Sequence, residues 1–335
     1  MSRILFIQTS FLGDVILSTA LVEKWNQFYP EDTIDVLIRK GNEGVFKDNP
    51  KVSELIIWDK TVDKYSNLFR VLLTSRKKKY DKIFNLQRFA STGILTILSG
   101  AKEKIGFDKN PLSFFYTKKY AHEISVSSFI HETQRNQKLI EDYTDSSPTK
   151  PKIYTNPENE KKISTLINKP YIVIAPASVW FTKQYPREKW ISFLSKLMVD
   201  VEVIFIGSRS DGVLCAQIIS EVALKNQRLI MQNLCGELTI QESAELMKRA
   251  VMNYVNDSAP LHIASSVNAP VTAIFCSTVT EFGFGPLSDE QHIIQIKEKL
   301  YCRPCGLHGY KSCPEKHFKC AMSIEDDQLQ YVLVS

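Results

Sequence analysis

The chain has 335 residues, which is long for one hydrophobic core and sufficient for two domains. Hydrophobic residues make up 44% and charged residues 24%, a globular balance that excludes a disordered protein. The net charge of +5 is too small and too scattered to point to nucleic acid as a partner.

The N-terminus, "MSRILFIQTS", runs straight into a strand-like segment and lacks the apolar stretch and cleavage site of a signal peptide. Apolar runs elsewhere are short, so no transmembrane helix is expected and the protein reads as cytoplasmic. "RILFIQ" (3–8) is a strand, and Val15, Val22, Trp25 and Tyr29 then recur at helical spacing until Pro30 closes the segment. "IDVLIR" (34–39), "SELIIWD" (53–59) and "DKIFNLQ" (81–87) are further strands, with helical stretches near 61–76 and 91–98. The basic run "SRKKKY" (75–80) has two readings: a solvated helix end, or a site for an anionic lipid surface or phosphorylated acceptor.

From residue 143 to 170 the pattern fades into a proline-containing polar stretch, the expected linker. The alternation then resumes with strands at 171–177, 201–208, 228–232, 252–257 and 270–276, and helices near 187–199, 211–223, 240–249 and 259–267. Strands alternating with helices predict an α/β protein with parallel sheets covered on both faces. Two Rossmann-like domains are expected, residues 1–150 and 151–335, facing each other across a cleft. Ligands of such sheets bind beyond the carboxyl ends of strands, which directs attention to strand-to-helix junctions.

Three junctions carry chemistry. In "TSFLGDV" (9–15), Gly13 is expected to allow a tight turn, and Asp14 falls in the first helical turn. That carboxylate either caps the helix or takes a proton from a substrate. In "APASVWFTKQYPREKW" (175–190), Pro186 and Glu188 mark a helix start, and Lys183 just before it can reach a phosphate. Ser178 and Thr182 add hydroxyls. In "YVNDSAPLHIASSVNAPVTAIF" (254–275), Asp257 ends a strand and Ser258, Ala259 and Pro260 open a small-residue helix. Its N–H groups suit an anion, although Asp257 disfavours a bare phosphate unless it binds a hydroxyl or holds the loop. His262 is either a packing residue or a donor to phosphate. Neither G-x-G-x-x-G after the first strand nor G-x-x-x-x-G-K-[ST] anywhere is present, which argues against a nicotinamide-dependent dehydrogenase or a P-loop enzyme.

These pieces, in this order, resemble glycosyltransferase family 9, the bacterial heptosyltransferase family, and especially the lipopolysaccharide ADP-heptose transferases of the second type. The resemblance also includes "YDKIFNLQRFASTGILTILSGAKEKIGF", "GPL" and the cysteine-rich end "CRPCGLHGYKSCPEKHFKCAMSI". It implies the GT-B fold and metal-independent, inverting transfer of a sugar, heptose from ADP-heptose, to a lipopolysaccharide core acceptor. That acceptor places the enzyme at the cytoplasmic face of the inner membrane. The resemblance makes Asp14 the base, with Ser10 and Gly13 on the acceptor side. Ser178, Lys183, Leu238, Asp257, Ser258, Ala259 and His262 fall on the donor side. Ala259 stands where the family has glycine, "KQYP" replaces the usual lysine-arginine-tryptophan-proline, and Val179 replaces a small or hydroxyl residue. These departures bear on the donor base and sugar, so another donor for a different surface glycolipid is one alternative. A non-catalytic nucleotide-sugar-binding module is the other.

Cys302, Cys305, Cys313 and Cys320 form C-x2-C followed by gaps of seven and six residues. Such thiols either hold a structural zinc or stay uncoordinated or redox-linked. No catalytic metal and no cofactor beyond the nucleotide-sugar co-substrate is expected.

Overall fold

The computed structural model describes residues 1–127, 129–167 and 169–332. The chain divides into two compact units: residues 1–124 with 130–154, and residues 125–129 with 155–335.

In the first unit, β1 (Arg3–Gln8), β2 (Thr33–Arg39), β3 (Glu54–Trp58), β4 (Lys82–Asn85), β5 (Glu103–Phe107) and β6 (Lys118–Tyr120) form one parallel sheet in the order β3-β2-β1-β4-β5-β6. The helices are α1 (Leu12–Phe28), α2 (Lys64–Lys78), α3 (Ala90–Leu98) and α4 (Glu132–Gln137). Successive β1 side chains face opposite sides, and both sides are buried. Leu5 and Ile7 join Leu37, Trp58, Ile83 and Leu95 in a core that Leu68 and Leu72 of α2 cover. Phe6 points the other way and stacks on Phe84 at 5.2 Å, with Trp25 of α1 closing over Phe84. Burial on both faces is why β1 reads as an unbroken apolar run.

The second unit repeats the plan. It comprises α5 (Pro157–Leu166), β7 (Tyr171–Ala175), α6 (Arg187–Ser195), β8 (Glu202–Phe205), α7 (Gly212–Lys225) and β9 (Met231–Asn233). Then come α8 (Ile240–Arg249), β10 (Met252–Asn256), α9 (Ala259–Ser266), β11 (Val271–Phe275), β12 (Gln291–Gln295), α10 (Lys319–Met322) and α11 (Asp326–Tyr331). Its parallel sheet runs β12-β11-β10-β7-β8-β9. Counted within each unit, both sheets have the Rossmann order 3-2-1-4-5-6. This is the two-Rossmann-unit architecture of the GT-B class. Among the described residues, no helix is long and apolar enough to cross a membrane.

Three local expectations change. The supposed linker contains α5, started by Pro157 and a capping box in which Asn156 accepts the Asn159 N–H. Gly13 is the second residue of α1, so a helical turn and not a tight loop carries it. The basic run at 75–80 is only partly solvated. Lys78 pairs with Asp35 at 2.9 Å and with Glu54, and the buried Tyr80 hydroxyl donates to Asp35 at 2.7 Å.

Candidate active site

The strand order reverses direction at β1 and β4 in the first sheet and at β7 and β10 in the second. Loops leaving these central strands diverge and open a crevice at their carboxyl ends. Asp14 follows β1, Lys183 follows β7, and Asp257 follows β10.

In the first unit, Ser10 Oγ donates to Asp14 Oδ2 at 2.6 Å. Asp14 is half-buried in the first turn of α1, where the N-terminal end of the helix dipole favours a carboxylate. The turn before it is held from several sides. Gln8 Oε1 accepts from the Ser10 N–H at 3.3 Å and from the Gln87 amide. Asn42 Nδ2 donates to the Ser10 carbonyl at 3.2 Å. Lys60 Nζ donates to the Thr9 carbonyl at 2.9 Å and to Thr9 Oγ1 at 3.0 Å. Burial pushes the Lys60 amine down to about 8, and the nearby charges of Arg39 and Lys64 add to this. Lys60 escaped the sequence reading because a lone lysine after a strand has no motif around it; only its contact with Thr9 marks it.

In the second unit, Lys183 Nζ lies 2.6 Å from Asp257 Oδ2, and both side chains are largely buried. Thr278 Oγ1 donates to the same carboxylate oxygen at 2.6 Å. Asp257 therefore holds the lysine loop, one of the two roles that could reconcile it with a nearby anion. The neighbouring Asn256 is fully buried and makes the frame. Its Nδ2 donates to the Pro176 carbonyl at 2.7 Å, and its Oδ1 accepts the Tyr185 N–H at 2.9 Å. This ties the end of β10 to the loop after β7 and fixes the distance over which Lys183 meets Asp257. Ser258 is the N-cap residue of α9, Ala259 and Pro260 begin the helix, and His262 is buried in its first turns. The Ser178 carbonyl accepts from Gln184 Nε2 at 2.6 Å on the lysine loop. Leu238 is half-buried on a separate loop, after edge strand β9.

The cysteine-rich tail packs on the lysine loop. Thr182 N–H donates to the Tyr310 carbonyl at 3.1 Å, and Tyr310 N–H donates to Thr182 Oγ1 at 2.8 Å. Ser277 Oγ also donates to Thr182 Oγ1, at 3.1 Å. Gly309 has φ +75°, and a Cβ there would stand 2.8 Å from Thr182 Oγ1 and 3.0 Å from Lys183 Cγ. Arg303 anchors the tail by donating to the carbonyls of Phe275, Cys276 and Thr278 at the end of β11.

Among the described residues, the tail's thiols are not gathered into the zinc site that their spacing allowed. All seven cysteines are free, and Cys305 Sγ donates to the Cys302 carbonyl at 3.1 Å. Burial, more than the neighbouring thiols, pushes Cys320 up to about 12. Among the described residues, no three His, Cys, Asp or Glu side chains gather to hold an ion. The close packing of Gly309 and Tyr310 against Thr182 is what this segment contributes.

The sequence profile of glycosyltransferase family 9 (heptosyltransferase) matches residues 68–315, most of the chain and all of the Lys183, Asp257 and Tyr310 elements. The chain belongs to glycosyltransferase family 9. It is 27% identical over 280 residues to lipopolysaccharide heptosyltransferase 3 of Escherichia coli, covering 80% of this chain and 82% of that protein. Its fold matches the glycosyl transferase family 9 structure from Veillonella parvula DSM 2008 with a TM-score of 0.83, at 21% identity over 99% of this chain and 97% of that one. It also matches E. coli ADP-heptose lps heptosyltransferase II with a TM-score of 0.77, at 18% identity over 99% and 98% of the two chains. A family 9 member is a glycosyltransferase, so the Asp14 turn and the Lys183–Asp257 pair are to be read against sugar transfer.

Proposed function

We propose that this family 9 enzyme moves a heptose from ADP-heptose to a lipopolysaccharide core acceptor, inverting the anomeric centre without a catalytic metal. Acceptor activation is assigned to the first unit and binding of the donor diphosphate to the second. The observation that carries this reading is the Lys183–Asp257–Thr278 constellation at the β7 and β10 carboxyl ends, beside the start of α9. A cation held there by a buried carboxylate is positioned to meet a diphosphate. The names of the relatives, lipopolysaccharide heptosyltransferase and ADP-heptose transferase, support the choice of donor and acceptor.

The chemistry is one displacement. Asp14 takes the proton of the acceptor hydroxyl, whose oxygen forms a bond to the anomeric carbon. The bond from that carbon to the diphosphate oxygen breaks, and its electron pair leaves with ADP. Lys183 and the α9 N–H groups stabilise the charge that develops on the leaving group. A single displacement inverts the configuration. Ser10 orients the Asp14 carboxylate through its 2.6 Å hydrogen bond.

Incubation of the purified protein with ADP-heptose and a heptose-deficient lipopolysaccharide core tests the proposal. The expected product is heavier by one heptose, and its anomeric proton reports inversion. Ala259 and Val179 depart from the family pattern at the donor side, which favours a second reading with a different donor sugar. Turnover only with another nucleoside diphosphate sugar would replace the first reading with that one.

A further inference from the structure

Helix α2 has two apolar faces where a surface helix normally has one. Leu68, Val71 and Leu72 turn onto the first unit's core. Tyr65, Phe69 and Leu73, four residues apart, form a second stripe that is 79%, 60% and 44% exposed. The stripe continues onto α3 at Leu98, itself 45% exposed, whose carbonyl accepts from Arg76 Nη1 at 3.2 Å. Large apolar side chains aligned in water at this scale need a reason.

The charges within α2 itself are of one sign. No Asp or Glu occurs between Lys64 and Lys78, while Arg70, Arg76 and Lys77 are exposed along the same helix. Lys78 is withdrawn into its pairs with Asp35 and Glu54, whereas Arg70, Arg76 and Lys77 are exposed to an external anion. Aromatic and aliphatic side chains flanked by guanidinium and ammonium groups match the boundary between lipid headgroups and acyl chains. The rings enter the apolar boundary, and the cations meet phosphates.

We propose that the Tyr65–Phe69–Leu73 face of α2 docks on an anionic phospholipid surface. The inference rests on the reading of the acceptor as a membrane-anchored glycolipid, because such docking holds the enzyme where that substrate lies. Unlike Asp14 or Lys183, this face handles no reacting atom.

Vesicle flotation tests it. The wild-type protein should float with vesicles of phosphatidylethanolamine and phosphatidylglycerol, stay below vesicles of phosphatidylcholine alone, and be released by high salt. A Tyr65→Ser, Phe69→Ser, Leu73→Ser variant should lose flotation. An Arg70→Gln, Lys77→Gln variant should bind anionic vesicles on the order of tenfold or more weakly. Both variants should retain wild-type circular dichroism and turnover of a water-soluble core oligosaccharide, and lose turnover of the vesicle-anchored acceptor. Recovery of the wild type below the anionic vesicles, or undiminished flotation of both variants, overturns the proposal. So does a concentration-dependent dimer, dispersed by the serine variant, in a protein that ignores vesicles. Turnover of the water-soluble acceptor tests heptose transfer separately, so failure of the docking face and failure of the transferase reading are distinguishable.

Discussion

Lys183 Nζ and Asp257 Oδ2 stand 2.6 Å apart, and Thr278 Oγ1 donates to the same oxygen. A largely buried ion pair is costly to break from one side, because the survivor keeps its desolvation penalty. Lys183→Ala should weaken ADP binding about 10- to 100-fold by calorimetry. In unfolding experiments, the double variant with Asp257→Ala should lose less than the sum of the single losses, with a coupling of about 2 kcal/mol. Additive losses with unchanged ADP affinity would refute the pair's role.

Asp14→Asn keeps the shape of the side chain and removes its basicity. Turnover should fall on the order of 10²- to 10⁴-fold, while ADP affinity and melting temperature stay near the wild-type values. Near-normal kcat would remove Asp14 from the role of base.

The tail's grip on Thr182 predicts a donor-specific defect. Gly309→Ala places a methyl group against Thr182 Oγ1 and Lys183 Cγ at a backbone conformation that L side chains avoid. ADP affinity should drop. Thr182→Val, which leaves the Tyr310 N–H without its acceptor, should do the same. Thr182→Ser should restore binding. Equal ADP affinity in all three variants would reduce the tail to a distant support.

Lys60 gives a pH signature. Its folded-state amine is pushed down from 10.5 to about 8, so folding disfavours the proton. Between those values the unfolded chain binds more protons than the folded one, and stability rises with pH. The gain is complete above the unfolded value and disappears as pH falls through 8. In denaturation across pH 7 to 11, a window of about this range, the stability of the wild type relative to Lys60→Met should rise with pH. Identical slopes would contradict the assignment.

Asn256→Ala strips partners from the buried Tyr185 N–H and from the Pro176 carbonyl. A loss of about 3 kcal/mol is expected in chemical denaturation. A loss under about 0.5 kcal/mol would mean that the loop after β7 does not depend on this amide.

The central strands β1 and β7 were legible because a strand buried on both faces leaves an unbroken apolar run; β10, equally buried, carries Asn253 and Asn256 among its apolar residues. Edge strands β6 and β12, "KKY" and "QHIIQ", face water on one side and carry no such run, so the sequence reading passed over them. Helix α5 was mistaken for linker because its apolar face is narrow, although Asn156 and Pro157 are ordinary helix-start residues.

The site divides in the same way. Local sequence determined that Asp14, Lys183 and Asp257 follow strands, since hydrophobic periodicity and helix-start chemistry act over a few residues. Only the folded chain decided that Asp257 holds Lys183, that Lys60 loses solvation against Thr9, that Tyr310 clasps Thr182, and that, among the described residues, the four spaced thiols are not gathered into one cluster. Ion pairing, desolvation and metal coordination depend on distance through space, and parallel crossovers bring together residues far apart along the chain.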